Sequence, residues 1–167
     1  GGELSVNATL AFAWHLAQRE NGAGKGELRT SGLNSVVRYR SNGEVTATFT
    51  MQSQIIRDRQ IVLFEGIGYV CKENSGPADE HLLRGLAREF KLPAFGIAGY
   101  TGDHLKPYVY VEETDSLVPE TACGSGSIAL NIIKGYRNIV QPTGQRITIT
   151  RNGDRFTVSA KVAKMRV

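Results

Sequence analysis

Two segments of this chain are apolar nearly all the way round a helix, and each opens on small polar residues. Residues 7–18 carry Ala8, Leu10, Ala11, Phe12, Ala13, Trp14, Leu16 and Ala17, with Asn7 as a plausible cap. The run Ile128 to Ile133 follows Ala122-Cys123-Gly124-Ser125-Gly126-Ser127 and extends a helical period to about Tyr136. A helix with no polar face has to be wrapped by other elements. Two such helices, with similar openings, predict an internally duplicated fold in which the rest of the chain does the wrapping.

The rest reads largely as strands. Residues 25–30, 35–40 and 45–51 alternate apolar and polar positions, and Ser41-Asn42-Gly43-Glu44 is a hairpin turn. Residues 60–71 read as one or two further strands, with Gly66 and Gly68 marking a bend or a close approach. Residues 79–90 form an amphipathic helix, started by Pro77 and Asp79, with Leu82, Leu83, Leu86, Ala87 and Phe90 on one face. Strands follow at 94–100 and 105–111, and a last hairpin spans 145–150 and 155–162 about Arg151-Asn152-Gly153-Asp154. The expected fold class is α+β: two pseudo-symmetric lobes, each a curved antiparallel sheet around a central helix. Residues 52–58 are the best crossing between them. The expected division is residues 1–54 as part of an N-terminal lobe whose leading strands are missing, and residues 55–167 as a C-terminal lobe. The last strand is a candidate to return to the first lobe.

Length and charge narrow the function. The chain has 167 residues, 20 basic and 16 acidic, for a net charge of +4. The basic residues are dispersed, so neither nucleic acid nor membrane is an expected partner. No apolar run reaches spanning length. Two cysteines, Cys71 and Cys123, make no disulfide framework and favour a reducing, cytoplasmic setting. Neither has metal-ligand spacing with His15, His81 or His104, so no metal site is expected.

The chemistry gathers at Cys123. A cysteine at a helix mouth sits beside unpaired N–H groups and a partial positive charge, which favour bound anions and the thiolate. Gly124 and Gly126 let a ligand approach the backbone, and Ser125 and Ser127 are positioned to cap free amides. Glu120 could meet a substrate ammonium or cap the same helix.

Set side by side, Leu4-Ser5-Val6-Asn7-Ala8-Thr9 and Ala122-Cys123-Gly124-Ser125-Gly126-Ser127 resemble the paired motifs of the diaminopimelate epimerase and proline racemase superfamily, the cofactor-independent amino-acid racemases. The second motif matches the family's Ala-Cys-Gly-Ser-Gly. The first matches at Asn7, Ala8 and Thr9, with Ser5 where the family has cysteine and Val6 where it has glycine. Within the superfamily the chain is most similar to histidine racemases of opine-metallophore biosynthesis, through residues 1–9, 105–110 and 116–120. Thr114-Asp115-Ser116 stands where the diaminopimelate enzymes carry Glu-Arg-Gly, which makes diaminopimelate a poor substrate.

The resemblance implies stereoinversion at an α-carbon without pyridoxal phosphate, another cofactor or metal. Cys123 and Ser5 would be the catalytic pair on opposite faces, and Asn7, Ala8, Glu120, Gly124 and Ser125 would bind substrate, a histidine-like amino acid among the candidates. Ser5 leaves three readings open: a natural Ser/Cys variant, as among hydroxyproline epimerases; a cysteine replaced to trap a ligand; or lost racemisation. The last would leave a same-fold isomerase or dehydratase, or a non-catalytic ligand-binding or assembly subunit. Family members carry a further segment ahead of the first motif. A complementary N-terminal segment or chain, or a homodimer partner, is therefore expected to cover Ala8 to Leu16.

Overall fold

A computed structural model describes residues 6–19, 24–30, 33–39 and 43–162. Helix α1 (Val6–Arg19) lies against an antiparallel meander of β1 (Gly24–Thr30), β2 (Leu33–Tyr39) and β3 (Glu44–Thr50). In β3 the alternation is direct: Val45, Ala47 and Phe49 are buried and their neighbours are not. The stretch read as a crossing holds a short strand, β4 (Gln54–Ile56), and a 3-10 turn, Arg57–Arg59. Residues 60–71 resolve into β5 (Ile61–Phe64) and β6 (Ile67–Glu73), joined at Gly66, whose φ of +81° is the left-handed conformation glycine tolerates.

Helix α2 (Glu80–Phe90) starts where its cap predicts: the Asp79 carboxylate accepts from the Leu82 amide at 3.0 Å. Leu83, Leu86 and Ala87 are buried, but Leu82 is 37% exposed, at the border of the apolar stripe. Then come β7 (Ala94–Thr101), β8 (His104–Val111), β9 (Ser116–Pro119), α3 (Gly124–Lys134), β10 (Asn138–Val140), β11 (Arg146–Asn152) and β12 (Arg155–Lys161). Helix α3 ends two residues earlier than the apolar period suggests, because Gly135 turns left-handed and caps it.

These strands form one sheet in the order β1-β2-β3-β12-β11-β10-β8-β7-β6-β5-β4, with β9 paired to β8. It is mostly antiparallel. The departures are β6 beside β7 and a single bridge of β10 to β8. Parallel neighbours need a long crossover, and α2 supplies it between β6 and β7. β7, with α2 on one side and α3 on the other, is buried at seven consecutive positions, which is why it reads as a continuous apolar run.

Helix α3 touches β5, β6 and β7 and also β11, which stands several strands away in the sheet. The sheet therefore curls round α3, and Ile128, Ala129, Leu130 and Ile132 are all buried. Helix α1 is different. Its Val6, Leu10, Ala13 and Ala17 are buried, but Ala8, Ala11, Phe12 and His15 are exposed, because β1–β3 pack on one side of it only. The expectation that α1 is enclosed all round is thus corrected. No helix among the described residues is long and apolar enough to cross a membrane.

Candidate active site

The starts of α1 and α3 meet. Asn7, in the first turn of α1, reaches across with both ends of its amide: Nδ2 donates to the Ala122 carbonyl at 2.8 Å, and Oδ1 accepts from the Gly124 amide at 3.1 Å. A planar amide matches a backbone C=O and N–H two residues apart, so one side chain ties the two helix mouths. The approach is close enough that a Cβ at Gly124 would lie 2.6 Å from Val6 Cβ. Asn7 therefore bridges the helices where sequence suggested a cap for its own.

Cys123 is the N-cap of α3, and its Sγ accepts from the Gly126 amide at 3.2 Å. The capping work expected of Ser125 and Ser127 is done by the sulfur. Ser127 bonds back to the Cys123 carbonyl at 2.6 Å and accepts from Gln141 Nε2 at 2.9 Å, while Gln141 Oε1 accepts from the Cys123 amide at 2.9 Å. Gln141 and Ser127 are both buried, so this closed ring fixes the backbone of the cap residue. Ser125 pairs with the Tyr69 hydroxyl at 2.8 Å, and that hydroxyl is 3.3 Å from Cys123 Sγ.

A cavity of about 260 Å³ opens in front of the sulfur. Val6, Ile67, Ala94, Val109, Val111 and Val118 give it apolar walls, and its polar groups are those of Asn7, Tyr69, Glu120, Cys123, Gly124 and Ser125. Glu120 Oε2 is buried there with no hydrogen-bond partner among the described residues. A buried carboxylate oxygen without a donor is costly, so this atom is the site's open valence. Of the sequence-predicted residues, Asn7, Glu120, Cys123, Gly124 and Ser125 come together on this cavity. Ala8 is exposed on α1 and is not one of its walls, and Ser5 lies outside the described residues.

The electrostatics reverse one expectation. A helix-mouth cysteine is expected to favour thiolate, but burial pushes the Cys123 thiol up to about 12, with the neighbouring Glu120 carboxylate adding to the rise. The hydrogen bonds from Tyr69 and Gly126 oppose this and are outweighed. Burial likewise raises the Glu120 carboxyl above the usual carboxylate range. Tyr69 is held well above the ordinary tyrosine value by burial and by the charges of Cys123 and Glu120. Cys71, buried in β6, is raised to about 12 by burial and does not line the cavity, as a small core hydrophobe should. Gly66 and Gly68 do not shape the cavity: Gly66 makes the β5–β6 turn, and Gly68 leaves room for the Phe95 ring on the α2 side.

Tyr69 and Gln141 are the two site residues that sequence reasoning did not single out. Neither carries a local signal. Tyr69 is one apolar position in a strand, and Gln141 follows a three-residue strand without helical or alternating pattern.

Comparison with known proteins places this geometry among relatives. Two proteins named histidine racemase, from two strains of Fusobacterium nucleatum, align with 93% of the chain. One is 33% identical over an alignment 187 positions long, covering 70% of its length; the other is 29% identical over 189 positions, covering 71% of its length. No protein-family model matches. In fold, the chain is similar to a crystal structure titled as a phenazine biosynthesis PhzC/PhzF protein from Clostridium difficile, with a TM-score of 0.60 at 12% identity, over 99% of this chain and 74% of that one.

Proposed function

This chain belongs to the family of the histidine racemases, within the cofactor-independent amino-acid racemases of the diaminopimelate epimerase and proline racemase superfamily, and on that premise we propose that it inverts the α-carbon of an amino acid by acid/base chemistry at Cys123. Ser5 is the proposed group on the opposite face, and a histidine-like amino acid is the proposed substrate. The finer architecture proposed with it is two pseudo-symmetric lobes, divided near residue 54, each presenting a helix mouth to one shared point.

One observation carries the reading: a cysteine thiol and a buried carboxylate oxygen without a hydrogen-bond partner among the described residues share a cavity with apolar walls at the junction of two helix starts. A substrate α-ammonium is the natural partner for Glu120 Oε2. Its positive charge would cancel the repulsion that helps hold the Cys123 thiol high, so substrate would lower the thiol's proton affinity as it enters. The substrate carboxylate would lie at the converging helix starts near Asn7, Gly124 and Ser125, where N–H groups and helix dipoles favour negative charge. The Ser125 backbone amide, in the first turn of α3, is the most direct donor, since the Gly124 amide is already engaged by Asn7 and the Ser125 hydroxyl by Tyr69. Apolar walls keep water from the carbanion and strengthen each of these interactions.

Solvent deuterium should enter the α-position of histidine together with interconversion of its enantiomers, and Cys123→Ala should abolish both with folding intact. Retention of exchange in Cys123→Ala overturns the assignment. A thiol held protonated also suits a one-acid reaction of a same-fold isomerase or dehydratase, which would show exchange or elimination without inversion. Binding without any exchange would favour a ligand-binding subunit. We further propose a cytoplasmic setting, and that the outward face of α1 at Ala8, Ala11, Phe12 and His15 is covered by further polypeptide, either a preceding segment or a dimer partner.

A further inference from the structure

We propose that Tyr69 is a positioning residue for Cys123: its hydroxyl, receiving a hydrogen bond from Ser125 and giving one to the sulfur, holds Sγ toward the cavity while the sulfur gains and loses its proton. This rests on Cys123 being the acid/base group.

The direction of the chain of hydroxyls follows from counting protons. Tyr69 and Ser125 each carry one, and a thiolate carries none. With the sulfur ionised, Tyr69 must donate across the 3.3 Å contact, and Ser125 must then donate across its 2.8 Å contact to Tyr69 Oη. The Gly126 amide donates to the sulfur in either state, at 3.2 Å. The thiolate thus has two fixed donors, one backbone and one phenol. Tyr69 keeps its own proton throughout; the transferred proton moves between the substrate α-carbon and Sγ.

The phenol is held in place by its surroundings. Tyr69 is 1% exposed, and its ring lies over Gly96 on β7 so closely that a Cβ there would be 2.4 Å from Cε1. The same ring edge is 3.3 Å from where a Cβ at Gly126 would be, and Phe64 meets the ring edge-on. Two glycines on separate elements therefore make the seat that places this hydroxyl. The charged or titratable groups facing the sulfur are Glu120, which disfavours thiolate, and Tyr69, which favours it; from α1 and the end of β10 the neighbours are the neutral Asn7 and Gln141. Removing the phenol hydroxyl would leave Glu120 opposed by the Gly126 amide and by the more distant Ser125 hydroxyl, 3.9 Å from the sulfur.

The test uses Tyr69→Phe, which keeps the ring, in a Cys71→Ala background with one cysteine. The alkylation rate of Cys123 by iodoacetamide is measured at one fixed alkaline pH. It should fall about tenfold, the thiolate fraction lost with one hydrogen bond to a charged group. Ser125→Ala, which removes the hydroxyl that donates to Tyr69, should shift the rate the same way by less. A merely loosened helix mouth would speed alkylation. An unchanged or faster rate in Tyr69→Phe, or, should that variant fail to fold, in Ser125→Ala, overturns the proposal. Steady-state α-exchange should show the loss in kcat with KM little changed. The alkylation readout needs no substrate, so it stays decisive for Tyr69 even if Cys123→Ala retains exchange and the racemase reading falls.

Discussion

Gly124→Ala should be far more damaging than its chemistry suggests. The added methyl would sit 2.6 Å from Val6 Cβ, 2.7 Å from Val6 Cγ1 and 3.0 Å from Asn7 Oδ1. The backbone of Gly124 is not left-handed, so the cost is crowding alone. Ordinary carbon contact is about 3.5–4.0 Å, so the two helix starts must separate by about 1 Å. Val6 is 1% exposed and has nowhere to swing. Overpacking of this kind costs about 1–3 kcal/mol. The same movement stretches the 3.1 Å bond from the Gly124 amide to Asn7 beyond hydrogen-bonding range, for about 1 kcal/mol more. The sum, about 2–4 kcal/mol, corresponds to a melting temperature lower by roughly 5–15 °C in a chain of this size. Gly85→Ala is the control. Gly85 is exposed in the middle of α2 with nothing near its missing Cβ, so alanine should stabilise by up to about 1 kcal/mol through helix propensity. Both variants would be melted by circular dichroism under one buffer. If Gly124→Ala melts within about 2 °C of the parent while Gly85→Ala behaves as stated, the helix starts are not in contact and the site as described is wrong.

Two other predictions concern charge. Glu120→Gln removes the carboxylate that helps raise the Cys123 thiol, so alkylation of Cys123 at fixed pH should speed up several-fold while the KM of any amino-acid substrate rises; an unchanged alkylation rate would show that burial alone sets the thiol. Both thiols are held protonated in the folded chain up to about 12 against an ordinary value of 9.0. The folded state then binds more protons than the unfolded one in that window, so their stabilising effect is whole below about pH 9 and is lost as pH rises toward 12, by on the order of 1.4 kcal/mol per thiol per pH unit. Urea midpoints should fall across this range, and Cys71→Ala should make the slope shallower; a flat profile would count against the burial of both thiols.

What could be read from the chain alone was whatever is local. The β11–β12 hairpin, the Asp79 cap and the alternation in β3 each depend on neighbours in sequence, and the structure has them in place. The meeting of Asn7, Glu120, Cys123, Gly124 and Ser125 was legible because two helix-opening motifs mark their own positions. The strands β9 and β10 escaped notice because four and three residues carry no period. The parallel pairing of β6 with β7 escaped because a sequence does not say on which side a crossover returns. Tyr69 and Gln141 matter only through atoms 54 and 18 residues away, and the elevated thiol is set by burial and Glu120, none of which a local field at a helix start reveals.

The seam between β3 and β12 has a consequence for how the molecule is made. Thr46 and Ser159, 113 residues apart, share a hydrogen bond at 2.8 Å across it, and pairing runs from Thr50–Arg155 to Glu44–Lys161. As the polypeptide leaves the ribosome, the meander carries a raw strand edge that its rightful neighbour reaches only after the whole stretch between Thr50 and Arg155 has been synthesised. Closure at such separation is slow, and a bare edge in the interval invites pairing with other chains. A product truncated before residue 155 would keep both helix mouths and still lack the strip that stops its first sheet from sticking.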